Sequence, residues 1–111
     1  MAHDVFISHS SKDKVIAEEI CALLEANGIS CWIAPRNIAP GEDWSEAIMD
    51  GILGSKIMAV VFSASSNHSK HVRREIKNAV DEDILVLTLR IEEVELSKAM
   101  RYFTSTTHWI D

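Results

Sequence analysis

The sequence predicts an α/β domain whose parallel sheet carries helices on both faces. Short apolar runs, many of them β-branched, alternate along the chain with segments of helical periodicity, which is typical of repeated strand–helix–strand units. The run 57–62 is nearly all apolar, as a central strand buried on both faces should be. The 111 residues contain no repeat, low-complexity tract or linker, so we predict a single domain over 1–111.

Five strands and three clear helices follow from these patterns. The strands are predicted at 4–8, 29–33, 57–62, 84–89 and 108–110. Helices are predicted between the first two strands, from Trp44 onward, and over 70–81. The serine-rich segment 63–69 is predicted to be a loop, and 90–107 is ambiguous, with room for a short helix. Ligands of such sheets bind beyond the carboxyl ends of the strands, which carry 8–11, 34–36 and 63–66.

Local signals mark the ends and the apolar faces of the first two helices. Ser10 or Ser11 can cap the first helix, and Ser10 and Asp13 have the spacing of a loose capping box. Asn27-Gly28 is predicted to end this helix. Its buried face is predicted to consist of Ile16, Ile20, Leu23 and Leu24. The helix that begins near Trp44 is predicted to direct three apolar residues inward, namely Ala47, Ile48 and Ile52.

Charge and composition narrow the partners and the compartment. A net charge of −6 argues against nucleic acid, because phosphate backbones require clustered Lys and Arg. No apolar run approaches the roughly 20 residues of a membrane span, and the N-terminus lacks the regions of a signal peptide. We therefore predict a cytoplasmic protein with no membrane partner. Cys21 and Cys31 fall inside apolar patterns and are predicted to be small core residues.

Three short stretches carry recognisable motifs. They are Asp-Val-Phe-Ile-Ser-His at 4–9, Arg-Asn-Ile-Ala-Pro-Gly at 36–41 and Ser-Lys-His-Val-Arg-Arg-Glu-Ile at 69–76. In order, spacing and element type they resemble the first-strand box, the second box and the third main helix of the TIR (Toll/interleukin-1 receptor) domain family, and most of all its prokaryotic members. The chain has His9 where that family usually has Tyr, and Asn37 where it has Asp.

The resemblance implies a flavodoxin-like three-layer sandwich around a central parallel five-stranded sheet. The family's last helix and its Phe-Trp box have no counterpart in the sequence, so we expect a truncated or excised domain. Some TIR domains cleave NAD+ between nicotinamide and ribose, and others are adaptors that only bind other TIR domains. The resemblance thus implies an NAD+ glycohydrolase or cyclase of immune, defence-type signalling, with a non-catalytic interaction module as the alternative. NAD+ is then the substrate, no cofactor is expected, and the product, linear or cyclic ADP-ribose, is left open.

Glu75 matches the position of the catalytic glutamate on the family's third helix. Nicotinamide departs as a neutral group and needs no general acid, so one carboxylate that stabilises the positive charge on the ribose suffices. The buried stripe of the predicted helix consists of Val72, Ile76, Ala79 and Val80. Glu75 lies at the edge of this stripe, where a side chain can face a cleft while partly desolvated. Periodicity alone favours an ordinary exposed helix glutamate at this position, and it is the family match that favours the catalytic role.

The other predicted substrate contacts lie on three segments. His71, one turn before Glu75, stands where several enzymatic relatives have a stacking Trp. Trp44 follows the loop 36–41 and can cover a base of the substrate, or else be a half-buried core residue.

His9, Ser10 and Ser11 follow the first strand, where the N–H groups of a helix N-terminus can receive phosphate, although the serines can equally be plain caps. Arg36 can pair with a phosphate or with a neighbouring domain. By resemblance, the loop is also expected to mediate self-association through Arg36, Pro40 and Gly41.

Other functions of this architecture lack their residues. A phospho-receiver domain needs acidic residues after strand one and an Asp after strand three, where the chain has His9-Ser10 and Ser63-Ala64. Neither a G-x-S-x-G elbow nor a Walker loop is present in the sequence. His68 and His71 are one helical turn apart, but the sequence supplies no further ligands near them, so no metal site is predicted. A flavodoxin-like cofactor binder stays open, although the loop after strand one lacks the glycines expected around a flavin phosphate.

Overall fold

Five parallel strands form one sheet at the centre of the molecule. The computed structural model describes residues 2–105 and 107–110. The strands are β1 (His3–Ser8), β2 (Cys31–Ile33), β3 (Ser55–Phe62), β4 (Leu85–Arg90) and β5 (His108–Ile110). They lie in the order β2-β1-β3-β4-β5, and every neighbouring pair is parallel. The predicted five-stranded parallel sheet is therefore confirmed.

Helices cover both faces of the sheet and complete a three-layer sandwich. They are α1 (Lys14–Ala26), α2 (Trp44–Leu53), α3 (Ala64–Asn67), α4 (Lys70–Asp81) and α5 (Lys98–Phe103), and a 3-10 turn over Ser11–Asp13 precedes α1. The strand β1 shows how the layers form. Val5 and Ile7 pack with α1, whereas Phe6 packs on the opposite face with α2, α4 and α5. Successive side chains of a strand alternate between faces, so the middle of a strand that is covered on both faces is apolar at consecutive positions, as Val5, Phe6 and Ile7 are.

The buried face of α1 differs from the predicted one. Ala17 and Cys21 are buried against the sheet, whereas Leu23, predicted to be inward, is 66% exposed. Ile20 and Leu24 flank the two small residues and are partly buried. Small side chains let a helix approach a sheet closely, so the face with alanine and cysteine packs inward and the larger side chains lie at its border.

The predicted capping box at the start of α1 does not form. The Ser10 hydroxyl donates to Oδ2 of Asp13 at 3.2 Å, and the Ser63 hydroxyl donates to the same oxygen. The carboxylate therefore binds two side chains and leaves the helix N-terminus without a side-chain cap. Asp13 instead ties the segment after β1 to the segment after β3.

Backbone hydrogen bonds also shift two predicted boundaries. The strand β2 starts at Cys31 and not at Ile29, because the N–H of Ile29 donates to the carbonyl of Leu24 and closes the end of α1. The serine-rich segment, predicted to be a loop, contains α3, which begins at a capping box formed by Ser63 and Ser66. The predicted helix over 70–81 coincides with α4.

Both cysteines are buried and free, as predicted for core residues. Desolvation raises the pKa of the Cys21 thiol, and it raises the pKa of the Cys31 thiol to about 12. Both side chains are therefore neutral thiols near neutral pH.

An aromatic stack joins α2 to the sheet. Trp32 of β2 stacks on Phe6 of β1, with ring centroids 4.8 Å apart and planes 6° from parallel. The backbone of α2 packs against the same indole at Gly51, where an added Cβ would lie 2.6 Å from Cε2 of Trp32. A glycine is therefore required here by close approach, although glycine is a poor helix former.

We predict that Gly51→Ala lowers the stability of the fold. Alanine has a better helix propensity by about 1 kcal/mol, but overpacking against the indole costs about 1–3 kcal/mol, so the net change is a loss. Urea unfolding of the wild type and the variant measures it, with Ser45→Ala on the exposed side of α2 as the control. A variant that is more stable than the wild type would contradict the packing described here.

Candidate active site

The helix α4 brings the predicted catalytic residue to the sheet. Ser69 caps this helix, because its Oγ accepts a hydrogen bond from the N–H of Val72 at 3.2 Å. Val72, Ile76 and Ala79 are fully buried in the core. Glu75 lies beside this stripe and is only 5% exposed, so it is more deeply buried than its edge position in the sequence pattern indicated.

Both carboxylate oxygens of Glu75 have partners. The Ser8 hydroxyl donates to Oε1 at 2.7 Å, and Nε2 of His71 lies 2.8 Å from Oε2. Ser8 is the last residue of β1 and is fully buried. A buried carboxylate without partners would cost several kcal/mol, so these two contacts allow a charge to lie at the end of β1.

A cleft of about 290 Å³ opens beside this carboxylate, at the carboxyl ends of β1 and β2. The cleft brings together five of the seven predicted site residues, namely His9, Ser11, Trp44, His71 and Glu75. Its other lining residues are Phe6, Ile7, Lys14, Trp32, Ala34 and Pro35. A mostly apolar pocket with a few convergent polar groups is the usual form of a small-molecule site.

A second cleft, of about 590 Å³, adjoins the first and shares Ser11 and His71 with it. Ser10, the sixth predicted site residue, lines this second cleft and not the first. The remaining lining residues are Lys12, Ala64, Ser65, His68 and Ser69. Hydroxyl groups, imidazoles and an ammonium group make the lining of this cleft more polar than that of its neighbour.

Arg36 lines neither of these clefts. Its two terminal guanidinium nitrogens each donate to one carboxylate oxygen of Glu25 at 2.8 Å, and Nη2 also donates to the carbonyl of Cys31. Its Nε donates to Oδ1 of Asn37, which in turn accepts from the N–H of Ile33. The donor fork that we predicted for a phosphate or a neighbouring domain is thus bound to α1 within the chain.

Trp44 is the first residue of α2 and is 55% exposed. The preceding Asp43 caps the helix, because its side chain accepts from the N–H of Glu46 at 3.0 Å. Trp44 belongs to neither core cluster and lies at the wall of the cleft, so the prediction of a core residue is wrong, and the predicted contact with a base stays a prediction.

Comparison with known proteins shows the family. The sequence profile described as TIR domain matches residues 5–111. The chain belongs to the TIR-domain family. The TIR domain of a Toll-related receptor from Hydra magnipapillata superposes with a TM-score of 0.81 at 20% identity, over 97% of this chain and 83% of that one. This confirms the predicted fold.

Two curated relatives are similar to this TIR domain over most of its length. One is a protein of Methanobrevibacter olleyae named "Probable 2' cyclic ADP-D-ribose synthase TcpO", 34% identical over 77 residues. The other is a "Stimulator of interferon genes protein" of Magallana gigas, 33% identical over 81 residues. The matches cover 68% and 72% of this chain, but the matched segments span only 23% and 20% of those longer proteins. In residues 2–105 and 107–110 of the TIR domain, no helix has both the length and the apolar character that a membrane crossing requires.

Sequence reasoning missed several residues of the site. Ser8 was noted only as part of a strand end, although a polar residue that closes an apolar strand is a usable signal. Lys14 and Trp32 also line the cleft. No sequence signal indicated these two, because Lys14 lies in an ordinary amphipathic helix and Trp32 in an ordinary apolar strand.

The two histidines of the cleft have pKa values shifted in opposite directions. The hydrogen bond and the charge of Glu75 raise the pKa of His71, despite some desolvation. Burial lowers the pKa of His9, although the backbone at Ile7 and the charge of Glu75 act against this shift. The cleft therefore favours the charged form of His71 and the neutral form of His9, each relative to a free imidazole.

We predict that His71→Gln lowers the free energy of unfolding more at low pH than at high pH. Because the pKa of His71 is raised by folding, its contribution is fully present below about pH 6.5 and is lost as the pH rises through the folded-state value. The gap in unfolding free energy between wild type and variant should therefore be larger at about pH 5.5 than at about pH 8.5. The same pair compared in a Glu75→Gln background is the control, where the pH dependence of the gap should largely vanish. A gap that widens with pH would contradict the His71–Glu75 contact.

Proposed function

We propose that this TIR domain cleaves NAD+ between nicotinamide and ribose, in immune or defence-type signalling. The observation that carries this proposal is a buried, doubly hydrogen-bonded carboxylate, Glu75, in the wall of a largely apolar cleft. A relative that is named a cyclic ADP-ribose synthase supports the same reaction class. NAD+ is the substrate in this proposal and no separate cofactor takes part.

One carboxylate is sufficient for the chemistry. The bond between the ribose C1′ and the pyridinium nitrogen breaks, its electron pair goes to that nitrogen, and nicotinamide leaves as a neutral molecule. The ribose passes through an oxocarbenium-like state, and a nearby negative charge stabilises it strongly in a water-poor cleft. An oxygen of water, or a nucleophile within the ADP-ribose itself, then bonds to C1′ and releases a proton, which gives the linear or the cyclic product.

The contacts of Glu75 suggest how it can meet the substrate. Ser8 is fully buried and holds Oε1 in place, whereas the His71 imidazole on Oε2 is half exposed and lies on the solvent side of the carboxylate. A ribose hydroxyl that replaces this imidazole would bind Oε2 directly. In this arrangement Ser8 is a positioning residue and His71 competes with the sugar for the outer oxygen.

The sizes of the two clefts support a divided binding site. A volume of about 290 Å³ lies at the lower end of the range for ligand pockets and suits the nicotinamide riboside half of the substrate. Trp44 offers an exposed aromatic face for stacking on a base. Lys14 in the first cleft and Lys12 in the second are positive charges for the diphosphate.

The alternative is an interaction module without catalysis. Pro40 and Gly41 are exposed at the tip of the loop between β2 and α2, where a neighbouring TIR domain can reach them. Gly41 has a φ of +86°, so a tight turn presents this tip. Self-association and catalysis are compatible, and an assay at both low and high protein concentration distinguishes a pure module from an enzyme that is active when assembled.

We predict that Glu75→Gln abolishes the release of nicotinamide from NAD+. The substitution keeps size and most hydrogen bonding but removes the charge, so a loss of at least about hundredfold in rate reports electrostatic stabilisation. Nicotinamide is measured by chromatography at low and high protein concentration, and a thermal melt checks the fold. Glu82→Gln, at the exposed end of the same helix, should keep the wild-type rate. Wild-type turnover in the Glu75 variant would falsify the assignment, and a wild type inactive at every concentration would favour the interaction module.

We predict that Trp44→Ala weakens the use of NAD+ with little effect on stability. The side chain is mostly exposed, so the free energy of unfolding should change by less than about 1 kcal/mol. Loss of base stacking should raise KM roughly tenfold, and Trp44→Phe should recover most of this loss. Steady-state kinetics next to a thermal melt separates the two effects. A melting point that falls sharply while KM stays constant would assign Trp44 a structural role.

A further inference from the structure

Two thiols and a carboxylate converge on the face of the sheet that α1 covers. Cys21 and Glu25 are one turn apart on α1, and Cys31 lies beside them at the start of β2. The two sulfur atoms and a carboxylate oxygen of Glu25 all lie within 4.8 Å of one another. Both cysteines are free, and each is at least 96% buried. Cys, Cys and Glu are all established ligands of zinc in proteins.

We propose that Cys21, Cys31 and Glu25 form a binding site for a thiophilic divalent cation, with Zn²⁺ as the best match. Thiolate sulfur and carboxylate oxygen are both donors that zinc accepts, whereas magnesium and calcium favour oxygen donors. The site involves neither Glu75 nor NAD+, so this proposal is independent of the proposed catalysis.

The spacing of the three atoms is close to what zinc requires. An ion at the centre of an equilateral triangle with sides of 4.8 Å lies about 2.8 Å from each corner. Zinc bonds are roughly 2.3 Å to sulfur and 2.0–2.2 Å to oxygen, so each ligand must move by less than about 1 Å. A rotation of the exposed Glu25 side chain and small rotations of the thiols supply this movement without a change of fold.

A small cleft beside α1 gives an ion access to the Cys21 thiol. It has a volume of about 160 Å³ and is lined by Cys21, Glu25 and Arg36, among others. Glu18, one turn before Ala22 on α1, places a second carboxylate at this cleft. Two acidic side chains attract a cation, and a water molecule can complete a four-coordinate shell.

The charges in the cluster balance when an ion is bound. Arg36 now neutralises Glu25 through two hydrogen bonds of 2.8 Å. Binding of Zn²⁺ displaces the protons of both thiols into the solvent and leaves two thiolates, one carboxylate, one divalent ion and one guanidinium, which sum to zero. Arg36 can keep its hydrogen bond to the carbonyl of Cys31 while Glu25 turns to the ion.

Titration of the purified protein with Co²⁺ tests the proposal, because cobalt bound by thiolates has charge-transfer absorption that other ligands do not give. The protein is kept reduced with a phosphine, so that a disulfide cannot form. We expect one equivalent of Co²⁺ to produce this absorption, Zn²⁺ to abolish it by displacement, and one equivalent of Zn²⁺ to release about two protons and raise the melting temperature. No thiolate absorption at any cobalt concentration would overturn the proposal.

Two substitutions that break the same ion pair show whether Glu25 is a metal ligand or only a structural contact. Glu25→Gln and Arg36→Gln both break the Glu25–Arg36 pair, but only the first removes a ligand. Removing a residue that only hydrogen-bonds to a metal ligand lowers metal affinity by about 10–100-fold. Glu25→Gln removes a ligand itself, so it should lower the affinity for zinc by at least as much. Arg36→Gln should bind zinc as tightly as the wild type or more tightly, since it removes a positive charge. Equal weakening in both variants would overturn the role of Glu25.

The thiols are tested by Cys31→Ser, which should lose the cobalt absorption. A thermal melt without metal shows whether this buried substitution still folds. If it does not fold, Glu25→Gln against Arg36→Gln decides the matter, because both side chains are exposed. Glu19→Gln, on the opposite side of α1 from the cluster, should bind zinc like the wild type. Binding that survives in a folded Cys31→Ser variant would place the ion elsewhere and refute the site.

Discussion

The hydrogen bond between Ser8 and Glu75 links the end of β1 to the middle of α4, and the geometry of the candidate site depends on it. A carboxylate that is only 5% exposed has to be compensated, and Ser8 supplies a hydroxyl at 2.7 Å from 67 positions away in the chain. The apolar stripe of α4 fixes how far that helix lies from the sheet. With the helix in place, the carboxylate faces the cleft, and the half-exposed imidazole of His71 lies against its outer oxygen.

Close packing on the neighbouring strand shapes the rest of the cleft. Trp32 lies between Phe6 and the backbone of α2, and Gly51 allows the helix to approach the indole. The start of α2 is thereby held near the carboxyl end of β2, which places Trp44 at the wall of the cleft. A rigid aromatic floor and an exposed aromatic wall are the features by which a nucleotide base can be recognised.

The segment after β2 lies between two clefts. Ala34 and Pro35 line both the cleft beside Glu75 and the small cleft beside Cys21. Arg36 anchors this segment to α1 through Glu25, and the amide oxygen of Asn37 accepts from the backbone at Ile33. The cleft beside Cys21 and the cleft beside Glu75 therefore share this short segment as a common wall.

The sequence by itself determined the elements whose signals lie within one stretch of chain. Periodicity, capping and composition predict the bounds of α4 and the presence of a buried central strand. They also predict the burial of both cysteines and the inward direction of Ala47 and Ile52. The position of Glu75 beside the stripe of α4 also follows, because the angle between helix residues is fixed at 100° per step. Such signals depend only on the geometry of a single element, so the order of the residues is enough to read them.

Only the tertiary structure decided which residues from different elements meet. Ser8 beside Glu75, Arg36 on Glu25, and Cys21 beside Cys31 depend on how α1 and α4 pack on the sheet, and local spacing carries no record of that. The same reason explains two errors. Leu23 is exposed because the small side chains of Ala17 and Cys21 bring the other face of α1 closest to the sheet. Asp13 binds Ser63 from a distant segment, where a local helix cap was expected. A contact between distant segments reflects competition among all the surfaces that can pack, and that competition is settled only when the whole chain is folded.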